Sequence, residues 1–338
     1  MKKSTVLGLT VVLAVVLASC APSLSIKAGS ATAESLMRLL PKSTSGIIAI
    51  DIHRGMGLAL VSKMLQDPKS KDQYEAFIKI GGIDPMKDVY FVVIGLMATP
   101  NGMGQEGGII VNLKYNKDNL LSVMKAKAPE FQSESYNGVT IYSNLEGSES
   151  KRTTRAAFLD DSNILFGSEA GVKGIIDVHQ KKAESVMKNE DFKAKLKKVD
   201  KSSIAWVAIS IPADLVKKGV ESMPQLKVLE GVTAVTMSFD YRLSNYIADI
   251  RTMGGSGEQN KNLGDTLNGF KGLGAMMGGQ EPVVGEFLNA VEVTSGKDFV
   301  RLYISVSEEL MEKVGKLVQS RLGDFIKINK EKPQEEKK

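Results

Sequence analysis

Two histidines, His53 and His179, and one cysteine, Cys20, are the side chains best suited to bind a metal or act as a nucleophile, and none of them lies near another in the chain. A transition-metal site needs such ligands clustered. Both histidines are therefore read as surface or helix-end residues, and no metal or other cofactor is expected. A Gly-x-Ser-x-Gly nucleophile elbow does not occur, although a Ser/His/Asp set dispersed along the chain stays open. Gly254-Gly255-Ser256-Gly257-Glu258 and Gly278-Gly279 could bring backbone N–H groups close to an anion. Neither fits a phosphate-loop or dinucleotide fingerprint. They read as flexible loops around a helix carrying Leu263, Leu267, Phe270 and Leu273, with Asn101-Gly102-Met103-Gly104 in the comparable place of the first half.

Gly264, Gly269, Gly272 and Gly274 interrupt that helix, each costing about 1 kcal/mol relative to alanine, while Met276 and Met277 extend its apolar side. It reads as an imperfect helix packed on its sheet, with a mobile flap over an apolar groove as the alternative. In the segment 186–201, Phe192, Leu196 and Val199 form an inward stripe. Lys193, Lys195, Lys197, Lys198 and Lys201 are its solvated face.

The chain opens on Met1-Lys2-Lys3, continues with an apolar run from Val6 to Leu17 and ends that run at Leu17-Ala18-Ser19-Cys20. A basic start, a short apolar core and small residues form an export signal. The core is too short for a permanent membrane span, which needs about 20 apolar residues. Leu17-Ala18-Ser19-Cys20 closely resembles the lipobox of bacterial lipoproteins. That resemblance implies cleavage before Cys20, a diacylglyceryl group on its sulfur and, in many species, a third acyl chain on its amine. Two or three chains hold a protein stably on a bilayer where one does not. Ala21, in place of the Asp that resembles an inner-membrane retention signal, favours the outer membrane facing the periplasm in a cell that has one.

Cys20 is the single cysteine of 338 residues, so no internal disulfide forms and the fold depends on its core. Without residues 1–19 the chain carries 42 basic and 39 acidic residues, a formal charge of +3. So small an excess gives no support to nucleic-acid binding. Hydrophobic residues make up 43% and charged residues 25%, a globular composition.

Hydrophobic periodicity predicts a repeated order of elements. A helix at 34–40 stops at Pro41, and a strand follows at 46–52. Helices at 56–66 and 71–80 lead to strands at 88–97 and 108–115 and a helix at 117–127. Strands at 138–143, 155–160 and 163–167 precede a helix at 169–182. The order recurs from Val207-Ala208-Ile209-Ser210-Ile211, which matches Ile48-Ala49-Ile50-Asp51-Ile52. A helix at 213–229 and strands at 232–241 and 245–253 follow. Leu121, Met124 and Lys125 correspond to Leu267, Phe270 and Lys271. Ser168-Glu169 and Ser307-Glu308 each head a helix, as an N-cap serine followed by an acid should.

The expected organisation is a signal peptide at 1–19, a flexible tether at 20–33, α+β repeats at 34–190 and 191–325, and a charged disordered tail at 326–338. Each repeat is expected as a mostly antiparallel or mixed sheet with helices on one face, compatible with a ferredoxin-like variant. Leu40-Pro41-Lys42-Ser43-Thr44-Ser45-Gly46, running into the strand with Asp51, resembles the opening of an uncharacterised group of exported bacterial proteins with α+β repeats. No activity comes with that resemblance. The expectation is a non-enzymatic cell-envelope protein tethered to the membrane through Cys20. It would bind an envelope protein or a hydrophobic ligand, or serve as a scaffold; the alternatives are a carrier of a hydrophobic ligand and an envelope hydrolase with dispersed catalytic residues.

Overall fold

The computed structural model describes residues 29–99, 102–143, 154–277 and 281–331. Among these, twelve strands form one sheet: β1 Thr44–Asp51, β2 Val89–Thr99, β3 Gly102–Leu113, β4 Gln132–Tyr136, β5 Val139–Ser143, β6 Arg155–Phe158, β7 Asn163–Gly167, β8 Ala205–Ser210, β9 Val232–Arg242, β10 Asn245–Gly254, β11 Val291–Ser295 and β12 Phe299–Ser307. The helices are α1 Ala33–Met37, α2 Ile52–Met56, α3 Ala59–Met64, α4 Pro68–Gly81, α5 Pro85–Asp88, α6 Lys117–Lys127, α7 Glu169–His179, α8 Glu190–Leu196, α9 Ala213–Ser222, α10 Gly257–Met277, α11 Pro282–Asn289 and α12 Glu308–Glu331. The protein is α+β, as its pattern predicts.

The sheet is antiparallel throughout, in the order β11-β12-β10-β9-β8-β1-β2-β3-β7-β6-β5-β4. The two segments matched in the sequence, in β1 and β8, lie side by side at its centre, with Ile48 opposite Val207. Outward from that seam the order is β1-β2-β3-β7-β6 on one side and β8-β9-β10-β12-β11 on the other. The hairpin β4–β5 extends the first side. The predicted halves are therefore joined edge to edge by backbone hydrogen bonds rather than folded as separate sheets.

Helices cover both faces of the first half, where one covered face was expected. Its strands are apolar at successive positions, as in Ile109-Ile110-Val111 and Ile164-Leu165-Phe166, and such strands need cover on both sides. On one face Ile47, Ala49, Val93, Ile110 and Leu165 pack with α1, α7 and α8. On the other, Val111, Leu113, Ile164 and Phe166 pack with Phe77 of α4 and Leu120 and Met124 of α6. In the second half the alternation is clean. Ser238, Asp249, Arg251, Arg301 and Tyr303 share one face, while Met237, Phe239, Ile250, Leu302 and Ile304 share the opposite face.

Several boundaries move. Ala31 and Ala33 are buried in the core, so the ordered fold begins inside the segment expected as tether. Helix α12 runs to Glu331, past the expected start of the tail at 326; lysine and glutamate are good helix formers and extend it. The helix predicted over 213–229 ends at Ser222, and Pro224 opens a separate 3₁₀ segment to Leu229. The stripe of Phe192 and Leu196 is buried as expected, and it seals the seam.

Candidate ligand-binding face

The register across the centre of the sheet puts Ile48 and Ile50 of β1, Val207 and Ile209 of β8, Met237 and Phe239 of β9, Ile250 of β10, and Leu302 and Ile304 of β12 on one face. These side chains are half-buried, and Met237 is 37% exposed. Their neighbours in sequence on the opposite face, Ile47, Ala49, Trp206, Ala208 and Thr236, are fully covered. The contrast locates a continuous apolar floor that crosses the seam and is incompletely roofed.

The surrounding helices reach the floor from its margins. At one end Lys63 of α3 pairs with Glu312 of α12 at 2.6 Å, and the Tyr241 hydroxyl donates to Glu308 Oε1 at 2.6 Å. At the other end Val232, Leu263 and Val300 form a small cluster with Leu229, Leu267 and Val293, which seats the first turns of α10. Helix α11 fills the angle between α10 and α12, and Lys313 of α12 approaches Glu286 at 3.7 Å. Leu60 and Met64 of α3 and Met223 after α9 add exposed apolar groups.

Helix α10 is continuous over 21 residues despite its glycines. Its first half packs as expected through Leu263 and Leu267. In its second half Lys271 still donates to the Val291 carbonyl of β11 at 2.6 Å, while the outward side is open, with Phe270 65%, Leu273 59% and Met276 81% exposed. The glycine loop before it is occupied by structure. Gly254 and Gly255 have φ of +96° and +73°, and a Cβ on Gly254 would stand 2.5 Å from the Gly231 carbonyl oxygen. Ser256 Oγ accepts from Gln259 N at 3.2 Å, while Ser256 N donates to Gln259 Oε1 at 2.8 Å. The loop caps a helix and allows close backbone approach. Gly102 and Gly104 instead turn the β2–β3 hairpin, whose counterpart is the β9–β10 turn, so the expected likeness to the 254–258 loop does not hold.

His53 is exposed beside Tyr90, with ring centroids 5.8 Å apart. His179 closes α7, and its partial burial pushes its pKa down against the pull of Asp160. Asp160 is buried with Asn163 and Ser162, and burial pushes its pKa up. The structure thus places the two histidines on separate elements. No group of three histidine, cysteine or carboxylate side chains able to hold a metal occurs among the described residues. No helix among them is long and apolar enough to cross a membrane. Cys20, Gly278 and Gly279 lie outside the described residues.

Two polar groupings escaped the sequence because their members are distant in the chain. Asp249 accepts from Arg251 at 3.0 and 2.9 Å and from Arg301 at 3.1 and 2.9 Å, on the polar face. Asp240, buried beside the seam, accepts from Arg54 at 2.8 Å and from Arg242 at 2.5 Å. Each set gathers two arginines on one carboxylate, and in the second Arg242 also reaches Asp200 at 2.7 Å. The sequence signal for the first is the alternation of charged and apolar residues in β10 and β12.

No curated protein sequence matches the chain. Among solved structures it is similar to crystal form III of TP0453, at 11% identity and a TM-score of 0.47 over 81% of this chain and 95% of that one. It is also similar to crystal form I, at 13% identity and a TM-score of 0.40 over 83% and 97%. Residues 110–242, from β3 across the seam to the end of β9, match the family described as "Protein of unknown function (DUF3352)".

Proposed function

We propose that this is a lipid-anchored cell-envelope protein that binds an apolar ligand of the acyl-chain class on its seam-crossing floor, and that its role is binding rather than catalysis. The observation that carries this reading is the half-exposed row of Ile48, Ile50, Val207, Met237, Phe239, Ile250 and Leu302 in a sheet whose opposite central face is sealed. Each methylene removed from water contributes about 0.8 kcal/mol, so an elongated chain lying across several strands gains most from such a floor. The lipidated Cys20 supports access to such ligands. Ten residues lie between Cys20 and the buried Ala31, and that stretch spans at most roughly 40 Å at full extension. The fold would then stay close to the bilayer, on the outer membrane facing the periplasm where the cell has one.

Two measurements test this. Mass spectrometry of organic extracts from protein purified with Cys20→Ser should find co-purified lipid. A fluorescent fatty acid should bind wild type at least tenfold more tightly than Met237→Glu or Phe239→Asp, because a carboxylate on the floor would have to be buried unpaired. Lipid-free extracts together with equal probe affinity in all three proteins would defeat the reading.

A further inference from the structure

On the sealed side of the seam lies a cavity of about 180 Å³, smaller than the roughly 300–1,000 Å³ of drug-sized sites. It is separate from the apolar floor, because Ala49 and Trp206, which line it, point to the opposite face of β1 and β8. Its apolar wall is Ala33, Ala49, Phe91, Ile204 and Trp206, and its polar groups are Asp51, Lys201, Ser202, Ser203 and Thr32.

Those polar groups are not all satisfied by the protein. Asp51 Oδ1 accepts from Arg54 N at 2.9 Å, and Oδ2 takes no hydrogen bond among the described residues. Ser203 is 6% exposed, and its hydroxyl likewise finds no partner among them. Trp206 is 1% exposed, and its indole N–H is unpaired. Lys201 reaches only Glu34, at 3.4 Å. Buried polar groups without partners are rare and call for an explanation. In this cavity that group is the Trp206 N–H, and beside it half-buried Asp51 and Lys201 and the Ser203 hydroxyl bring an anion, a cation and a further polar group to the same cavity from both halves of the chain.

We infer that this seam cavity binds a small zwitterion with a compact apolar body, the class of the free α-amino acids. The Asp51 carboxylate takes the ammonium group, Lys201 and the Ser203 hydroxyl take the carboxylate, and Ala33, Ala49, Phe91 and Ile204 enclose the side chain. An anion alone would leave Asp51 Oδ2 without a donor, and a cation alone would leave Lys201 with no acceptor beyond its 3.4 Å contact to Glu34; a zwitterion engages both. The inference does not depend on what the apolar floor binds.

Trp206 is the only tryptophan in the chain, so its emission reports on this cavity directly. The test titrates the full mature chain in detergent with leucine, 4-methylpentanoate and 3-methylbutylamine, and follows Trp206 emission alongside equilibrium dialysis of labelled leucine. Leucine should bind saturably, with both one-charge analogues at least tenfold weaker. Asp51→Asn and Lys201→Met should each weaken leucine at least tenfold. Asparagine is as good a helix N-cap as aspartate, so Asp51→Asn keeps the start of α2, and an unchanged melting temperature verifies folding in each variant. Absence of leucine binding, binding of either analogue as tight as leucine, or unchanged affinity in both folded variants would overturn the inference.

Discussion

Asp249 lies on the polar face of β10, between Arg251, two residues along the same strand, and Arg301 on the neighbouring β12. Burial alone would raise its pKa, but the hydrogen bonds from Arg251 and Arg301 outweigh burial and hold it below the ordinary range. A carboxylate whose pKa is lower folded than unfolded contributes stability above its unfolded pKa of about 3.9, and that contribution disappears as the pH falls through the folded value. Urea midpoints measured from pH 6 to pH 3 should therefore fall more steeply for wild type than for Asp249→Asn. Parallel pH profiles for the two proteins would count against this role. The proposed lipidation of Cys20 makes a sharper prediction at the same scale. Cys20→Ser should abolish acyl labelling in cells and leave a full-length precursor on immunoblots; continued processing and membrane retention would defeat the lipobox assignment.

Among the elements, glycines in two of the helices, α7 and α10, face opposite surroundings. A Cβ on Gly171 of α7 would stand 1.9 Å from the Gly107 carbonyl oxygen, where the helix crosses β3. Gly171→Ala should cost about 1–3 kcal/mol through overpacking, despite alanine's better helix propensity. Gly269 of α10 has nothing within 4 Å of that position. Gly269→Ala should therefore stabilise by up to about 1 kcal/mol. Thermal unfolding of the two variants should move in opposite directions, and a shared direction would contradict the packing described. Sequence periodicity located α6 at Lys117–Lys127 and β7 at Asn163–Gly167 residue for residue, because caps and turns flank strong apolar patterns there. It passed over β4, whose Gln132–Tyr136 stretch is polar and exposed, and the β11–β12 hairpin. The same pattern gives the apolar alternation of β9 and β10 but not its degree of cover. Cover depends on where α10 and α12 land, which is a tertiary outcome. Asp51, Lys201 and Trp206 were out of reach for a related reason, since only the β1–β8 pairing brings them to one cavity.

At the scale of the whole molecule, the same outward strand order on both sides of β1 and β8 supports a duplication whose copies have since diverged in cover. The helix headed by Ser168 packs on the face that holds Trp206, with Val172 and Ile175 fully buried. The helix headed by Ser307 goes to the other face, where Glu308 meets Tyr241 and Glu312 meets Lys63. That difference leaves Asp249, Arg251 and Arg301 part-exposed on the polar face of the second half and places α12 beside the apolar floor. The copies are nonetheless not independent. Trp206 and Ala208 of the second half share one cluster with Leu165 and Ile176 of the first, and Phe192 and Leu196 of α8 complete it. A core continuous across five backbone-paired positions at the seam should unfold as one unit. Trp206 emission and far-ultraviolet circular dichroism should then give the same denaturant midpoint. Phe192→Ala should lower both together, by about 3–5 kcal/mol of stability, because it opens a cavity in the shared cluster. Separate midpoints for the two signals, or a Phe192→Ala effect confined to one of them, would mean that the seam is a contact between two domains rather than the centre of one.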